Sequence, residues 1–501
     1  MTEVPEIRIE ALSSAAVRPD GDYVLYWMTA FRRLGWSFSL DRAAGWAREL
    51  GKPLVLLEPL RCGHEWASDR FHRFVLDGMA EHARRLARSN VLYYPYVEPK
   101  AGAGKGLLAA LAKRACVVVT DDYPAFFLPR MVAAAGQALG QAGVLLERVD
   151  SNGLLPLRAA DRAFPTAYHF RRFLQKELPG HLASFPSAEP WKGLPKRLAA
   201  LPDDILRRWP AASDDLLAGR PGSLDPLPID HAVPPVPDAR GGDAAGAAAL
   251  ETFLDERLER YGDGRNDPVE DVTSRLSPHL HFGTVSAHQM LAAVAEREGW
   301  TPARLSGSTS GKREGWWGMS PSAEKFLDEA VTWREVGFNV SSHREDYDRY
   351  ESLPDWAQET LRRHAKDPRS EVYSLEEFEA GRTQDELWNA AQGQLIAEGR
   401  IHNYLRMLWG KKVLHWSKTP QEALAVLIQL NNKYALDGRD PNSYSGIFWC
   451  FGRFDRPWAP ERPIFGSVRY MSSESTRRKL KVDAYIKRYA PGQQASLFSD
   501  R

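Results

Sequence analysis

Between residues 20 and 150, short apolar runs alternate with amphipathic stretches long enough for a few helical turns. The runs are YVLYWM (23–28), PLVLLEPL (53–60), VLYYPYV (91–97), CVVVTD (116–121) and GVLLERV (143–149). A strand with one wet face alternates apolar and polar side chains. These runs are nearly continuous, which predicts strands covered on both faces, and the helical stretches between them predict a parallel α/β sheet. From 181 to 245 the pattern breaks, because eleven prolines from Pro186 to Pro237 and the pair Gly241-Gly242 preclude long helices. Short helices are expected only around 196–217. Leu250, Phe253, Leu254, Leu258 and Tyr261 then recur at helical spacing behind Asp243, a predicted N-cap, and almost everything beyond reads as helix with loops. The expected organisation is an α/β domain over 1–155, a linker over 156–245 and an all-α domain over 246–490.

The helical part carries the most distinctive chemistry. LWNAAQGQLIAEGRIHNYLRMLWGKKVLHW is followed by LNNKYALDGRDPNSYSGIFW. Trp409 and Trp416 lie seven apart on a helical run and so share a face, two turns apart. Trp388 lies on the preceding helix, across Glu398-Gly399-Arg400. Large aromatics most often fill a core. Indoles are also the side chains best suited to passing one electron at a time, a task set by redox cofactors.

Composition removes several alternatives. With 501 residues, 43% hydrophobic and 26% charged, the chain matches an ordinary globular protein of two or three domains. No apolar run reaches the roughly 18 residues that span a bilayer, and MTEVPEIRIEALSS lacks the blocks of a signal peptide, so a cytoplasmic location without membrane contact is expected. Cys62, Cys116 and Cys450 are too scattered for a disulfide framework or an iron–sulfur site, and no metal is expected. Net charge is only +1, yet residues 453–488 hold ten Arg or Lys against four Asp or Glu, a distribution that suits either a phosphate-binding surface or a solvated face. Gly102-Ala-Gly104-Lys105-Gly106 is not a phosphate loop: Pro99 stands where the first glycine belongs, and Gly106 replaces the hydroxyl residue after the lysine.

The order Trp388, Trp409, Trp416, with Arg406-Met407 before the middle one and Asp437-Gly-Arg-Asp440 beyond, resembles class II cyclobutane pyrimidine dimer photolyases, flavin-dependent enzymes of light-driven DNA repair in the photolyase/cryptochrome family. Tyr261-Gly-Asp-Gly-Arg265-Asn-Asp-Pro and Thr273-Ser274-Arg275-Leu276-Ser277-Pro278, followed by HLHFG at 279–283, resemble that family's FAD-binding opening. The likeness is tight over 255–485 and looser over 20–150. It implies the family fold: a Rossmann-like α/β domain of the antenna type, then an all-α FAD-binding domain. It implies that Tyr261 and Thr273 to Ser277 hold the FAD phosphates at a helix start, where unpaired amides favour anions. Arg406 paired with Asp437 would lie beside the flavin, Asn431 would face its N5, and Asp440 is carried over with them. Glu329, Trp333, Met407 and Trp449 would form the dimer pocket, and Arg265 would reach into it or to the DNA. Glu329 and Trp333 share a helical face at i,i+4; Trp333 and Trp449 would act as aromatic walls, and a protonated Glu329 would donate to a pyrimidine carbonyl. Trp409, Trp388 and Trp416 would form the relay that brings FAD to its reduced, active form. Arg477, Arg478, Lys479 and Lys481 are expected to bind the phosphates of UV-damaged DNA by a monomer. An antenna pigment, folate or deazaflavin or none, is left open.

Two features depart from the family pattern. Some twenty additional residues lie between Phe282 and Glu329, including Trp300, Trp316 and Trp317 in a Gly/Ser-rich segment. They read as an added DNA or partner contact or as a tolerated surface insertion, and the insertion is the favoured expectation. Asn403 stands where relatives carry glycine. The alternatives are a cryptochrome-like photoreceptor, against which the retained pocket residues argue, and a (6-4) photoproduct photolyase, against which the lack of a pocket histidine argues.

Overall fold

A computed structural model describes residues 3–490. The chain forms two compact units. The first comprises the residues up to Asp161, Glu177–Glu251 and Leu276–Pro302; the second comprises Arg162–Lys176, Thr252–Arg275 and the chain from Ala303 onward.

In the first unit all five expected strands form: β2 (Tyr23–Trp27), β3 (Leu54–Leu60), β4 (Val91–Val97), β5 (Ala115–Asp121) and β6 (Leu146–Val149). A sixth, β1 (Ile9–Ala11), pairs antiparallel with β6, so the sheet of order β1-β6-β5-β2-β3-β4 is mixed rather than wholly parallel. Three residues of strand are too few to show a period, which is why the sequence pattern missed it. Every residue of β2 and β5 is buried, as their continuous apolar runs require. The segment 102–106 is a turn leading into the short helix Leu107–Ala112. Between 182 and 242 the helices are Asp203–Arg208 and Asp214–Leu217, as the prolines allow.

Two carboxylates organise the C-terminal edge of this sheet. Asp121 accepts the backbone N–H groups of Thr29, Ala30 and Phe31 at 2.8, 2.8 and 3.0 Å and the Tyr26 hydroxyl at 2.7 Å. The amide nest after β2, which in other α/β sheets suits a ligand anion, is thus filled by the protein itself. Glu58, fully buried, meets His82 Nδ1 at 2.8 Å, Arg32 at 2.9 Å and the Tyr93 hydroxyl at 2.7 Å, while His82 Nε2 reaches Asp243 at 3.3 Å. Asp243 is therefore the first residue of the helix Asp243–Glu256 and not its N-cap: its carboxylate is taken by His82, by Arg85 at 2.8 Å and by the Leu34 N–H at 2.9 Å. Burial disfavours charge on His82, but Glu58 and Asp243 on either side overcome it and raise its pKa to about 10. Burial likewise opposes charge on Glu58, and His82, Arg32 and Tyr93 together lower it to about 2.

Among the described residues the named elements of the second unit are all helices, joined by loops. The helix Glu386–Glu398 starts where the Asp385 carboxylate accepts the N–H groups of Leu387 and Trp388, both at 3.1 Å, and stops at Gly399, whose φ of 64° closes it. Ten of its thirteen residues are buried, so it is a core helix with no polar face. Asn403–Trp416, Pro420–Tyr434 and Pro441–Trp449 follow, the last two capped by Thr419 and Asp440 with proline at the first helical position. A Cβ at Gly410 would collide with Cys450 Sγ, so glycine is what lets the Asn403–Trp416 helix approach the end of Pro441–Trp449.

His82→Gln should destabilise the protein by about 1–3 kcal/mol, because it removes one charged partner of the buried Glu58 and leaves Arg32 and Tyr93 to hold it. The Glu58 contribution is present above its unfolded pKa of about 4.3 and is lost as pH falls toward 2; the His82 contribution is present below about 6.5 and is lost as pH rises toward 10. Urea unfolding of both proteins across pH should show the largest difference between about pH 4.5 and 6.5. A difference independent of pH would contradict the charged pair.

Candidate functional site

The three tryptophans of the second unit form one array. Trp388, Trp409 and Trp416 are no more than 2% exposed. The Trp388 and Trp409 rings are stacked, 6.4 Å between centroids and 6° from parallel, and Trp416 meets Trp388 at 6.1 Å and 75°. Trp388 therefore sits between the other two, and the spatial order differs from the chain order because Trp388 is on a separate helix. Each interior N–H has a partner: Trp388 Nε1 donates to the Trp409 carbonyl and Trp409 Nε1 to Gln392 Oε1, both at 3.0 Å. Gln392 lies four residues beyond Trp388 on the same helix face, a spacing that marks it in the sequence. Lys412 lies 4.8 Å over the Trp416 ring, and Tyr373 meets that ring at 5.5 Å.

One turn before Trp409 on its helix, Arg406 places one guanidinium nitrogen 3.1 Å from both oxygens of Asp437. Asn431, 3% exposed, donates its amide to Ser443 Oγ at 2.8 Å and Asn432 Oδ1 at 3.2 Å. Asn432 in turn accepts the Arg439 N–H at 3.0 Å, which fixes the turn between the two helices. Asp440 spends an oxygen on the Asn442 N–H at 2.8 Å. Both N–H groups of the Asn431 amide are committed, so its oxygen is the atom left to face a ligand.

The segment LDEAVTWRE is where the structure adds most. Asp328–Trp333 is a π-helical turn inserted between the helices Pro321–Leu327 and Arg334–His343. The expected α-helical i,i+4 face of Glu329 and Trp333 is thus carried by a wider i→i+5 ladder, a form common at functional sites. Arg265 Nη1 lies 3.2 Å from Glu329 Oε1. Burial, the strongest influence, raises the Glu329 pKa; Arg265 opposes it, and neighbouring Asp328 adds to the rise. The Tyr261 hydroxyl is within hydrogen-bonding reach of Arg265, so the structure groups Tyr261 with Arg265 and Glu329. The Trp333 and Trp449 rings adjoin at 5.7 Å and 46°, both half-buried. Met407 is half-buried beside Arg406 in sequence. Beneath the turn, Asp328 is held by the buried Arg171 through two bonds of 2.7 and 3.0 Å, a support that nothing in the sequence announces.

The loop before the helix Ser277–His281 is tense. Asp271 and Arg275 adopt left-handed φ values of 43° and 57°. Asp271 binds Arg400 at 2.6 Å, Arg275 at 2.8 Å and the Thr273 hydroxyl at 2.6 Å, and these partners outweigh burial to hold its carboxyl well below the usual range. Ser274 is half-buried in the same loop, and Leu276 and Ser277 belong to the first unit. His402 is 2% exposed, with no hydrogen-bond partner for either ring nitrogen among the described residues; burial lowers its pKa to about 4. It feels the charges of Asp271 and Arg400, which sets it near this loop, and the sequence reading did not select it. Nor did it select Lys411, fully buried, which donates to the Cys450 carbonyl at 2.6 Å just beyond Trp449 and whose pKa burial lowers to about 8. Asn403 opens its helix, exposed. In the basic run, Arg477 pairs with Glu386 at 3.1 Å and Arg478 with Glu474 at 3.2 Å, while exposed Lys479 and Lys481 have no ion pair among the described residues.

Among the described residues no helix is long and apolar enough to cross a membrane, and no cluster of His, Cys, Asp or Glu could hold a metal ion. No protein-family model matches the chain. Individual relatives do. It is 33% identical over 487 residues to a deoxyribodipyrimidine photo-lyase of Methanothermobacter thermautotrophicus, across 96% of this chain and 97% of that one. It is equally similar, at 33%, to deoxyribodipyrimidine photo-lyases of Potorous tridactylus (93% of this chain, 81% of the relative) and Arabidopsis thaliana (92% and 88%). A crystal structure of a bacterial class III photolyase from Agrobacterium tumefaciens superposes with a TM-score of 0.69 over 95% of this chain and 88% of its own, at 17% identity, a likeness of fold. With similarity running through both units and nearly the full length of the relatives, the chain belongs to the deoxyribodipyrimidine photo-lyase family.

Proposed function

We propose that this protein is a class II-like photolyase that splits cyclobutane pyrimidine dimers in DNA, using light and reduced FAD. The observation that carries the reading is the succession along one helix of Arg406, bound to Asp437, and Trp409, at the head of the stacked indole array. The residues fit a flavin nucleotide. His402 offers two unpartnered buried ring nitrogens, Asn431 a committed amide with an available oxygen, and Arg406 a cation for the electron-rich end of a reduced flavin. Arg406, Asn431, Asp437 and Asp440 would hold the ring side, and Thr273, Ser274 and Arg275 the phosphates, with Arg275 exchanging Asp271 for an anion. FAD held by these residues would supply light-driven one-electron donation with return of the electron, chemistry suited to a lyase reaction without net oxidation.

The chain's own groups do the rest. Trp333 and Trp449 grip the everted dimer on its apolar faces, with Met407 as a polarisable neighbour. Glu329, whose raised pKa favours the protonated acid, donates its O–H to a pyrimidine carbonyl as negative charge develops there. Arg265 positions that acid from 3.2 Å and adds positive potential. Trp409, Trp388 and Trp416 conduct an electron inward across ring separations of 6.4 and 6.1 Å, restoring the reduced cofactor without taking part in splitting. DNA is held mainly through phosphates, with Lys479 and Lys481 contributing from the basic run.

Trp409→Phe and Trp388→Phe should each abolish light-driven reduction of oxidised FAD while chemically pre-reduced enzyme still repairs. Absorbance spectra under blue light check this, and normal photoreduction in either variant would contradict the relay.

Glu329→Ala should lower dimer splitting per absorbed photon by about an order of magnitude at saturating enzyme, since a hydrogen bond to a charged partner is worth about 1.5–3 kcal/mol. Lesion affinity should fall much less, because the bond strengthens only when the dimer carries the extra electron. An unchanged yield would remove Glu329 from the pocket.

A further inference from the structure

The segment 303–320 is the part of the second unit that the repair site leaves unexplained, and it is not a loose surface insertion. Trp316 and Trp317 are each 4% exposed and meet edge to face at 4.9 Å. The segment is pinned at two points. Buried Glu324 accepts the backbone N–H groups of Gly315, Gly318 (2.8 Å) and Met319 (3.3 Å). Gln175, on the helix Ala167–Glu177, accepts the Gly311 N–H at 2.8 Å and donates to the Lys312 carbonyl at 2.9 Å. One turn earlier on that helix face, Arg171 holds Asp328 and so the turn that bears Glu329. Gly311 has φ 77°, and a Cβ there would lie 2.6 Å from Arg172 Cγ and 2.9 Å from Tyr168 Cε2, so the backbone passes directly against these side chains.

At the Gln175 pin, Lys312 and Arg313 project into solvent, with no ion pair among the described residues; Glu314, also exposed, is the acid of the same tip. Tyr168 is 49% exposed, an unusual state for so large a ring, and the Arg172 guanidinium lies 6.0 Å from its centre. The Arg313 charge is felt at the Glu329 carboxyl, where it opposes the effect of burial, so the tip flanks the proposed pocket. An exposed aromatic ring among cations on a pre-ordered backbone is what a nucleic-acid strand needs: phosphates meet the cations, an unpaired base stacks on the ring, and little ordering cost remains on binding.

We propose that Tyr168, Arg172, Lys312 and Arg313 form a strand-binding platform beside the Glu329 pocket, which grips the DNA backbone next to the dimer and stacks on Tyr168 a base unpaired by the dimer's eversion. The platform rests on the DNA-repair reading above. Its test is equilibrium binding of the full chain to a duplex carrying one cyclobutane dimer, across a salt series, for wild type, Lys312→Ala/Arg313→Ala, Tyr168→Ala and Tyr168→Phe. The double variant should flatten the slope of log K against log [salt] by about 1.8, at about 0.9 for each phosphate contact. Tyr168→Ala should weaken binding about tenfold with the slope kept, and Tyr168→Phe should restore it. Melting temperatures verify folding, and Lys312→Gln/Arg313→Gln replaces the double variant if it melts early. A wild-type slope in the double variant, or wild-type affinity in Tyr168→Ala, overturns the platform. A wild-type protein that does not prefer the dimer-bearing duplex to an undamaged one overturns the repair reading itself.

Discussion

Burying indoles against one another is costly unless their N–H groups find acceptors, because an unpaired buried donor costs about 1–3 kcal/mol. The second unit meets that requirement at Trp388 and Trp409 with two bonds, Trp388 to the Trp409 carbonyl and Trp409 to Gln392. Both run between the helices Glu386–Glu398 and Asn403–Trp416, so satisfying the indoles also fixes the register of the helix pair. Arg406 and Met407 ride on the second helix, and Gly410 and Lys411 join it to the end of the helix that bears Trp449. The geometry of the proposed cofactor and lesion groups thus descends from one packing problem.

The pocket side obeys a different requirement. A carboxyl that is to donate a proton-bearing oxygen must be kept from ionising, which calls for burial and a like charge nearby. Glu329 has Asp328 beside it but is only half-buried, its side chain 34% exposed, and Arg265 at 3.2 Å pulls the other way. Arg171 takes up the Asp328 charge, so that this carboxylate is held in place without demanding a partner from the pocket, and its own charge adds to the pull of Arg265 on Glu329. The π turn widens the backbone where these groups diverge.

Much of this was legible in the sequence, and the rest was hidden for identifiable reasons. Continuous apolar runs gave five strands to within a residue or three at either end, because a strand buried on both faces has few other compositions. The Trp409–Trp416 spacing gave a shared face, but Trp388 lying between them in space depends on how two helices pack. β1 is too short for a period. The π turn is silent because LDEAVTWRE has the same apolar spacing as an α-helix. Asp243 looked like a cap, since the sequence cannot show that His82 and Arg85 compete for its carboxylate. The Gly/Ser-rich segment 303–320 looked expendable, since its order comes from Glu324 and Gln175, one beyond its end and the other more than a hundred residues away. The surface pairs of Arg477 with Glu386 and Arg478 with Glu474 are likewise contacts that a basic run in the sequence cannot show.

The central claim is that this chain repairs cyclobutane dimers by light. The direct measurement is the fraction of dimers remaining in a synthetic oligonucleotide after incubation with the pre-reduced, flavin-loaded protein, in parallel under blue light and in the dark. The account predicts restoration of intact pyrimidines under light alone, with many turnovers per protein and no consumption of reductant. Persistence of the dimers under light, with the reduced flavin confirmed by its spectrum, would contradict it.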